Sequence, residues 1–155
     1  MDDGLRFATG FSFLLTLTVA AFFAGHPRFG LNVPAPLRHA ALVAFALSCC
    51  LHTWAMIANP FFSPVVRIQT EAGHRLIANG PYRFMRHPGY AAMLISLPAS
   101  ALAIGSYIAL LPALAFILVI SWRTQLEDQF LKANLPGYAE YAEHVPAGLP
   151  FMRRT

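Results

Sequence analysis

The stretch HRLIANGPYRFMRHPGY, residues 74–90, decides how this chain is organised. It is a short connector between two apolar segments, and it holds Gly80-Pro81-Tyr82 and Arg86-His87-Pro88-Gly89-Tyr90. Pro88 suits the first turn of a following helix, where its missing N–H has no consequence. Clustered arginine, histidine and tyrosine side chains at a membrane surface are able to hold a polar ligand. The connector therefore predicts a chain reversal between helices and a binding site in the same place.

The composition is typical of an integral membrane protein. The 155 residues are 57% hydrophobic and only 12% charged, and the mean hydropathy is +0.53, which does not suit a soluble domain. The length predicts one domain, residues 1–155. The net charge of +4 does not indicate a nucleic-acid partner. The basic residues of the chain lie at the ends of apolar segments, and they are not grouped with aromatic residues on which bases could stack.

Four apolar segments predict an all-α bundle of about four transmembrane helices. They run from about Leu5 to Ala24, Leu37 to Ala58, Tyr90 to Ile104 and Tyr107 to Trp122. Gly105-Ser106 predicts a tight turn, so the last two helices are expected to form an antiparallel hairpin. Each of them carries a proline, Pro98 or Pro112, at which we expect a kink because proline lacks the helical donor.

The C-terminal tail is predicted to be an amphipathic helical segment. Apolar residues recur at close to helical spacing from Gln125 to Leu135. Pro136-Gly137 breaks this pattern, and Tyr138 to Val145 forms a second short helical face. The closing stretch, residues 145–151, is apolar and rich in proline, so we expect it to pack against the rest of the protein or the membrane.

The basic residues are distributed unevenly about the predicted helices. If the N-terminus is cytoplasmic, only Arg28 and Arg38 of the eleven Lys and Arg residues lie on the opposite side. This arrangement follows the positive-inside rule. Both ends of the chain are then cytoplasmic. The connector and the tail share that side of the membrane and can build one site together.

Three motifs in this order resemble the isoprenylcysteine carboxyl methyltransferase family. The connector is similar to the family signature H-x-L-V-x-x-G-P-Y-x-x-x-R-H-P-x-Y, with isoleucine for valine and with Gly89 at a usually bulkier position. Arg123 and Glu127 match an R-x-x-x-E-E-x-x-L pattern in which Asp128 replaces the second acid. Residues 138–150 are similar to the closing Y-x-x-Y-x-x-x-V-P-x-x-x-P pattern.

The resemblance covers residues 74–151 and implies a membrane methyltransferase that binds S-adenosylmethionine without a Rossmann domain. The implied pocket lies between the membrane helices and the C-terminal tail. Arg86 and Glu127 are the implied catalytic residues, and no metal is implied. The residues implied to bind the cofactor or shape its pocket are His87, Pro88, Tyr90, Tyr82, Asp128, Tyr138, Tyr141, Pro146 and Pro150.

The acceptor implied by the resemblance is a carboxylate on an isoprenylcysteine-like or other small lipophilic molecule that enters from the surrounding membrane lipids. Such a carboxylate is already ionised at neutral pH, so catalysis is mainly orientation and exclusion of water. Arg86 would hold the carboxylate through two parallel hydrogen bonds. Glu127 would complement the sulfonium or hold Arg86 in place.

Other functions are compatible with these residues. An amine or thiol acceptor, such as a phospholipid head group, would call for a base, for which Glu127, Asp128 and His87 are candidates. A membrane binding or scaffold protein would keep the pocket without the chemistry. A transporter is less favoured, since no inverted repeat is visible. The short chain suggests a bacterial inner-membrane protein, and its oligomeric state is left open.

Overall fold

A computed structural model of the chain describes residues 3–24, 33–145, 147–149 and 152–153. These ranges form five α-helices and two short strands. They are α1 (Asp3–Ala24), α2 (Ala35–Ala58), α3 (Pro88–Ile104), α4 (Leu110–Asn134), α5 (Tyr138–His144), β1 (Ala147–Leu149) and β2 (Met152–Arg153). The strands pair antiparallel, with Ala147 opposite Arg153 and Leu149 opposite Met152. The predicted all-α bundle is confirmed, and the small β-ladder is an addition to it.

Three helices, α1, α2 and α4, are long and apolar enough to cross a membrane. The fourth apolar helix, α3, has only 17 residues. Large apolar side chains on the outer faces, such as Phe11, Leu47 and Leu118, are more than half exposed. Such faces are unfavourable in water and suit a lipid environment. The prediction of about four membrane helices is therefore confirmed, with α3 as the short member.

The start of α4 differs from the prediction. The helix begins at Leu110, whereas the sequence placed its start near Tyr107. Pro112 consequently lies in the first helical turn, where backbone N–H groups have no acceptor within the helix, so its missing N–H breaks no helical hydrogen bond. The kink expected at Pro112 is therefore not needed. Pro98 does lie inside α3, as predicted.

The end of α4 also differs from the prediction, which closed the membrane helix at Trp122. The helix continues without a break to Asn134 and includes the first part of the predicted tail. Arg123 and Asp128 are buried within it, although they are charged. Most of their partners lie in the connector and in α5, so tertiary contacts compensate the buried charges of this stretch.

The turn between α3 and α4 has the predicted tight geometry. Gly105 adopts φ +99°, a left-handed conformation that favours glycine. The N–H of Ser106 donates to the carbonyl oxygen of Ala101 at 3.0 Å. The hydroxyl of Ser106 then accepts the N–H of Ala109 at 3.3 Å, which ties the turn to the start of α4.

The connector and the C-terminal tail meet in the structure, as predicted. The backbone N–H of Arg86 donates to the carbonyl oxygen of Ala147 at 2.9 Å, and that of His87 donates to Gly148 at 3.2 Å. Leu149 lies in the main buried cluster together with residues of α3 and α4. The tail is thus anchored by backbone hydrogen bonds and by an apolar side chain, and it closes one end of the bundle.

Candidate functional site

A cavity of about 470 Å³ lies where the helices, the connector and the tail meet. This volume is within the range of about 300–1,000 Å³ that small-molecule sites usually have. Much of the wall is apolar and includes Met56, Phe62, Met93 and Ile120. The remaining wall carries tyrosine, histidine, arginine and glutamate side chains. One cavity therefore offers an apolar surface and a set of polar groups to the same ligand.

Most of the site residues predicted from the sequence line this cavity. Those in its wall are Arg86, Glu127, His87, Pro88, Tyr90, Tyr82, Tyr138 and Tyr141. Asp128 is not part of the wall and lies behind it. Pro146 and Pro150 fall outside the described residues. The structure thus brings residues from three separated motifs to one cavity.

Glu127 belongs to a polar group that faces the cavity. The hydroxyl of Tyr90 donates to Oε2 of Glu127 at 2.5 Å and accepts a hydrogen bond from Nε of Arg123 at 2.9 Å. The guanidinium of Arg123 also lies 5.8 Å from the centre of the Tyr90 ring and donates to the carbonyl oxygen of Pro64. We call Tyr90, Arg123 and Glu127 the cavity-facing group. Its hydrogen bonds fix the orientation of the Glu127 carboxylate.

Asp128, behind the wall, is the centre of a second polar group. Arg86 binds its carboxylate through two parallel hydrogen bonds, from Nε at 2.8 Å and from Nη2 at 3.1 Å. The Tyr138 hydroxyl donates to Oδ1 at 2.9 Å, and Nε2 of His87 lies 3.2 Å from the same oxygen. Lys132 contacts Oδ2 at 2.9 Å. We call Asp128 and these four partners the tail-facing group.

Arg86 is occupied by contacts within the protein. Besides its bond pair to Asp128, it donates from Nη1 to the carbonyl oxygen of Val145 at 2.6 Å. A Cβ atom on Gly148 would lie only 3.1 Å from Nη2, so the tail backbone packs closely on the guanidinium. The sequence-based hypothesis gave Arg86 an acceptor carboxylate, whereas the structure shows it holding Asp128. Glu127 is likewise not the residue that holds Arg86.

Besides Tyr90, three tyrosines line the cavity with their hydroxyl groups directed into protein contacts. The Tyr141 hydroxyl donates to the carbonyl oxygen of Tyr82 at 2.6 Å. The Tyr82 hydroxyl lies 3.4 Å from the carbonyl oxygen of Ala55. Burial raises the pKa of Tyr82, Tyr138 and Tyr141 above the usual tyrosine value. These hydroxyls therefore remain protonated donors at neutral pH.

The site predicted from the sequence did not include the wall residues His52 and Phe62, and it gave Arg123 no role of its own. Nδ1 of His52 lies 3.4 Å from the carbonyl oxygen of Gly89, and its ring meets Phe62 edge to face. A Cβ atom on Gly89 would lie 2.7 Å from the Phe62 ring, so this ring occupies the space that a side chain at position 89 would need. Gly89, at a position where the family usually has a bulkier residue, was the signal in the sequence that another side chain occupies this space.

Fold and cavity define a helical membrane protein with a cavity that its own C-terminal tail helps to close. The sequence profile of the isoprenylcysteine carboxyl methyltransferase (ICMT) family matches residues 39–133. The chain therefore belongs to this family. The match includes most of α2, the connector, α3 and most of α4, and thus both acids of the two polar groups.

Individual relatives agree with the family assignment. A probable protein-S-isoprenylcysteine O-methyltransferase of Oryza sativa subsp. indica is 41% identical over 103 residues, which is 61% of this chain and 51% of the relative. Protein-S-isoprenylcysteine O-methyltransferase B of Arabidopsis thaliana is 33% identical over 109 residues, 64% of this chain and 52% of the relative. The chain thus spans about half the length of these two relatives.

A bacterial relative aligns with more of the chain. The cobalt-zinc-cadmium resistance protein CzcN of Cupriavidus metallidurans is 28% identical over 139 residues, which is 88% of this chain and 60% of the relative. No solved structure matches the chain significantly. Among the described residues, no group of three or more His, Cys, Asp and Glu side chains is placed to hold a metal ion.

Proposed function

We propose that this chain is a membrane methyltransferase that transfers a methyl group from S-adenosylmethionine to the carboxylate of a lipophilic acceptor. The observation that carries the proposal is the cavity, in which the Glu127 carboxylate shares one wall with apolar side chains of the bundle. A ligand site of this form accepts a polar reacting group and an apolar tail together. Membership of the family supports the reaction class.

The side chains in the cavity fit a cationic sulfonium cofactor. S-adenosylmethionine would supply an electrophilic methyl group bonded to a positively charged sulfur. The Glu127 carboxylate offers a negative charge to such a cation, and the rings of Tyr82, Tyr138 and Tyr141 offer aromatic surface. His87 and Tyr90 also line the cavity and have polar atoms for the cofactor. In this proposal Asp128 acts indirectly, because it holds Arg86, His87 and Tyr138 in place.

The proposed reaction requires no proton transfer. An oxygen of the acceptor carboxylate attacks the methyl carbon and forms an ester bond. The carbon–sulfur bond breaks, and its electron pair stays on sulfur, which becomes a neutral thioether. The contribution of the protein is to bind, orient and exclude water. Tyr90 and Arg123 fix the Glu127 carboxylate through hydrogen bonds, so its charge is already in place before reaction.

The proposal includes a location. The positive-inside count favours a cytoplasmic N-terminus, connector and tail, and the alignment with CzcN favours a bacterial inner membrane. A fluorescent protein fused to the C-terminus reports the side of the membrane, because it folds in the cytoplasm and not after export through the general secretion pathway. Bright cells support the proposed orientation, whereas dark cells that contain full-length fusion protein contradict it.

The first test is calorimetric binding of S-adenosylmethionine and S-adenosylhomocysteine to the detergent-purified protein. We expect micromolar binding that Tyr90→Phe and His87→Ala weaken. Tyr107→Phe is the matched control, since Tyr107 does not line the cavity and makes no hydroxyl hydrogen bond within the described residues. Absence of binding to a wild-type protein that still melts cooperatively would contradict the proposed function and favour a membrane scaffold.

The second test identifies the acceptor class by turnover. The purified protein is incubated with methyl-labelled S-adenosylmethionine and either N-acetyl-S-farnesylcysteine or the amine head group of phosphatidylethanolamine in mixed micelles. Base-labile label in the farnesylcysteine sample indicates a methyl ester and supports a carboxylate as the methyl acceptor. Label retained by the phospholipid after base treatment indicates an amine acceptor. Glu127 would then be the candidate base, since it is the acid that reaches the cavity.

A further inference from the structure

We propose that the Phe62 ring determines how wide an acceptor the cavity admits beside the first turn of α3. The inference rests on the proposed function, because it concerns the lipophilic acceptor of that reaction. It narrows the substrate class to acceptors whose apolar chain is slender next to the reacting carboxylate. Phe62 is half-buried, and it forms part of the cavity wall.

The Phe62 ring lies directly against the backbone of Gly89. A Cβ atom at position 89 would lie 2.7 and 2.8 Å from two carbon atoms of this ring, so any side chain there would displace it. Gly89 is not one of the described glycines with a positive φ, and its backbone conformation therefore does not require glycine. The missing side chain instead makes room for the ring.

The ring is also held from its other sides. It meets the ring of His52 edge to face, with 5.5 Å between the two centres and an angle of 85° between the planes. The backbone N–H of Phe62 donates to the carbonyl oxygen of Asn59 at 3.0 Å. Two residues further on, the carbonyl oxygen of Pro64 accepts a hydrogen bond from Arg123. The segment that carries the ring is thus tied to α2 and to α4, so the ring narrows the cavity at a defined place.

That place is the boundary between the polar and the apolar wall. Gly89 directly precedes Tyr90, whose hydroxyl donates to the Glu127 carboxylate. One turn further along α3, Met93 continues the apolar wall. An acceptor with its carboxylate near Glu127 and its chain along the apolar wall would therefore pass the Phe62 ring with the first part of that chain. A closely packed wall excludes a group that is too wide, because its side chains have little room to move.

The test compares the turnover of two thioethers of N-acetylcysteine that differ in width. One carries an unbranched S-dodecyl chain, and the other carries a wide S-diphenylmethyl group. Wild type and Phe62→Ala are assayed at saturating S-adenosylmethionine. Phe61→Ala removes a ring from another part of the wall, where it stacks on His74. Phe84→Ala is the outer control, because the Phe84 side chain is exposed and does not line the cavity.

We expect wild type to favour the dodecyl acceptor. Phe62→Ala should raise kcat/KM for the diphenylmethyl acceptor, relative to the dodecyl acceptor, at least tenfold over the wild-type ratio. Phe61→Ala should change this ratio much less, and Phe84→Ala should leave it unchanged. An unchanged ratio in Phe62→Ala, an equal change in Phe61→Ala, or a wild type that favours the wide acceptor overturns the inference.

Binding of S-adenosylhomocysteine to Phe62→Ala assigns the ring to one reactant. An affinity close to that of wild type is expected, because the ring is proposed to face the acceptor. A tenfold loss of this affinity together with an unchanged acceptor ratio would place the ring in the cofactor site and overturn the inference.

A second measurement tests the contact itself without any acceptor. Gly89→Ala should lower the unfolding midpoint of the otherwise unchanged protein, because the new Cβ atom displaces the Phe62 ring. In the Phe62→Ala background the nearest remaining atom is Nδ1 of His52 at 4.0 Å, which is an ordinary contact. The same substitution should then lower the midpoint much less. Equal losses in the two backgrounds overturn the inference, because the ring would not be held where the proposal needs it.

Two further outcomes are distinguished from these. If Phe62→Ala does not fold, Phe62→Leu is expected to show a smaller change of the acceptor ratio in the same direction, and no change overturns the inference. If wild type methylates neither thioether nor N-acetyl-S-farnesylcysteine, the proposed function fails and the inference fails with it. Turnover with a ratio that Phe62 does not influence removes the inference alone.

Discussion

Glu127 and Asp128 are neighbours in one helix, and they serve two different parts of the molecule. Asp128 lies behind the cavity wall, where Arg86, His87, Tyr138 and Lys132 surround its carboxylate. Glu127 lies in the wall itself, and its only hydrogen-bond donor among the described side chains is Tyr90. Successive helical residues point about 100° apart, so adjacent acids necessarily face different neighbours.

The two acids differ in what their contacts do: those of Asp128 stabilise the fold, whereas Glu127 faces the cavity. The tail-facing group joins the connector, α4 and α5 with charge-assisted hydrogen bonds, so it adds to the backbone hydrogen bonds and to Leu149 in holding the tail against the bundle. The cavity-facing group leaves a carboxylate and a guanidinium at the surface that a ligand would touch. We therefore expect substitutions of Asp128 to affect folding first and substitutions of Glu127 to affect ligands first.

The largest effect is expected for Asp128→Asn, which tests whether Asp128 has the structural role in this comparison. The amide cannot balance the buried Arg86 charge, and loss of one partner of a buried ion pair destabilises by about 3–5 kcal/mol. We expect a large fall in the detergent unfolding midpoint and faster proteolytic release of the tail. Glu71→Gln is the control, because its ion pair with Arg67 is exposed and contributes at most about 1 kcal/mol. Similar midpoints for the two variants would contradict the structural role of Asp128.

Glu127→Gln tests the chemical side of the comparison. The substitution keeps the shape of the side chain and removes its negative charge, so we expect an unfolding midpoint close to that of wild type. Binding of S-adenosylmethionine should weaken about tenfold, or about 1.4 kcal/mol, whereas S-adenosylhomocysteine, whose sulfur carries no charge, should lose less. Calorimetry measures both affinities, with the exposed Glu140→Gln as control. Equal losses for both ligands would show that Glu127 does not complement the sulfonium.

A smaller effect is expected for Tyr141→Phe. This variant tests a contact that holds the tail independently of Asp128. The variant removes the hydrogen bond from Tyr141 to the Tyr82 carbonyl oxygen and leaves the ring in place. One intramolecular hydrogen bond contributes about 0.5–1.5 kcal/mol. We expect a loss of about 1 kcal/mol in chemical unfolding, compared with no loss for Tyr107→Phe. A change as large as that of Asp128→Asn would mean that the tyrosine pair, and not the carboxylate, dominates the closure of the tail.

Much of the fold was predictable because its signals are local. The apolar lengths of α1 and α2 and the glycine turn at Gly105 are properties of short stretches of sequence. The motif residues of the connector line the cavity, as predicted, and backbone hydrogen bonds join the connector to the tail. Local signals of this kind depend little on which distant segment packs against them.

The parts that sequence reasoning missed depend on tertiary contacts. A helical segment from Gln125 to Leu135 was predicted, but not that it continues α4 without a break. The contacts of Arg123 and Asp128 with residues far away in the sequence were also not predictable from local signals. The ion pair between Arg86 and Asp128 depends on which guanidinium the acid reaches in the folded chain, and a motif does not encode this. The position of Phe62 over Gly89 is equally a contact between separate segments.

The smallest effect is expected from His74, which lies outside both polar groups. Its Nδ1 accepts the backbone N–H of Gln69 at 3.2 Å, and its ring stacks on Phe61 at 4.5 Å. Burial lowers the pKa of His74 below its usual value of 6.5. The unfolded chain therefore takes up this proton at a higher pH than the folded chain does, and stability falls as the pH decreases below about 6.5.

His74→Asn is expected to flatten this part of the pH dependence. The difference in unfolding free energy between wild type and the variant should be largest near pH 7 and decrease towards pH 5, by less than about 1 kcal/mol because the side chain is only partly buried. Thr70→Ser, in the same loop, changes no group that titrates between pH 5 and pH 7 and is the control. A difference that increases towards pH 5 would mean that the folded protein favours the protonated ring, which the hydrogen bond from Gln69 to Nδ1 does not allow.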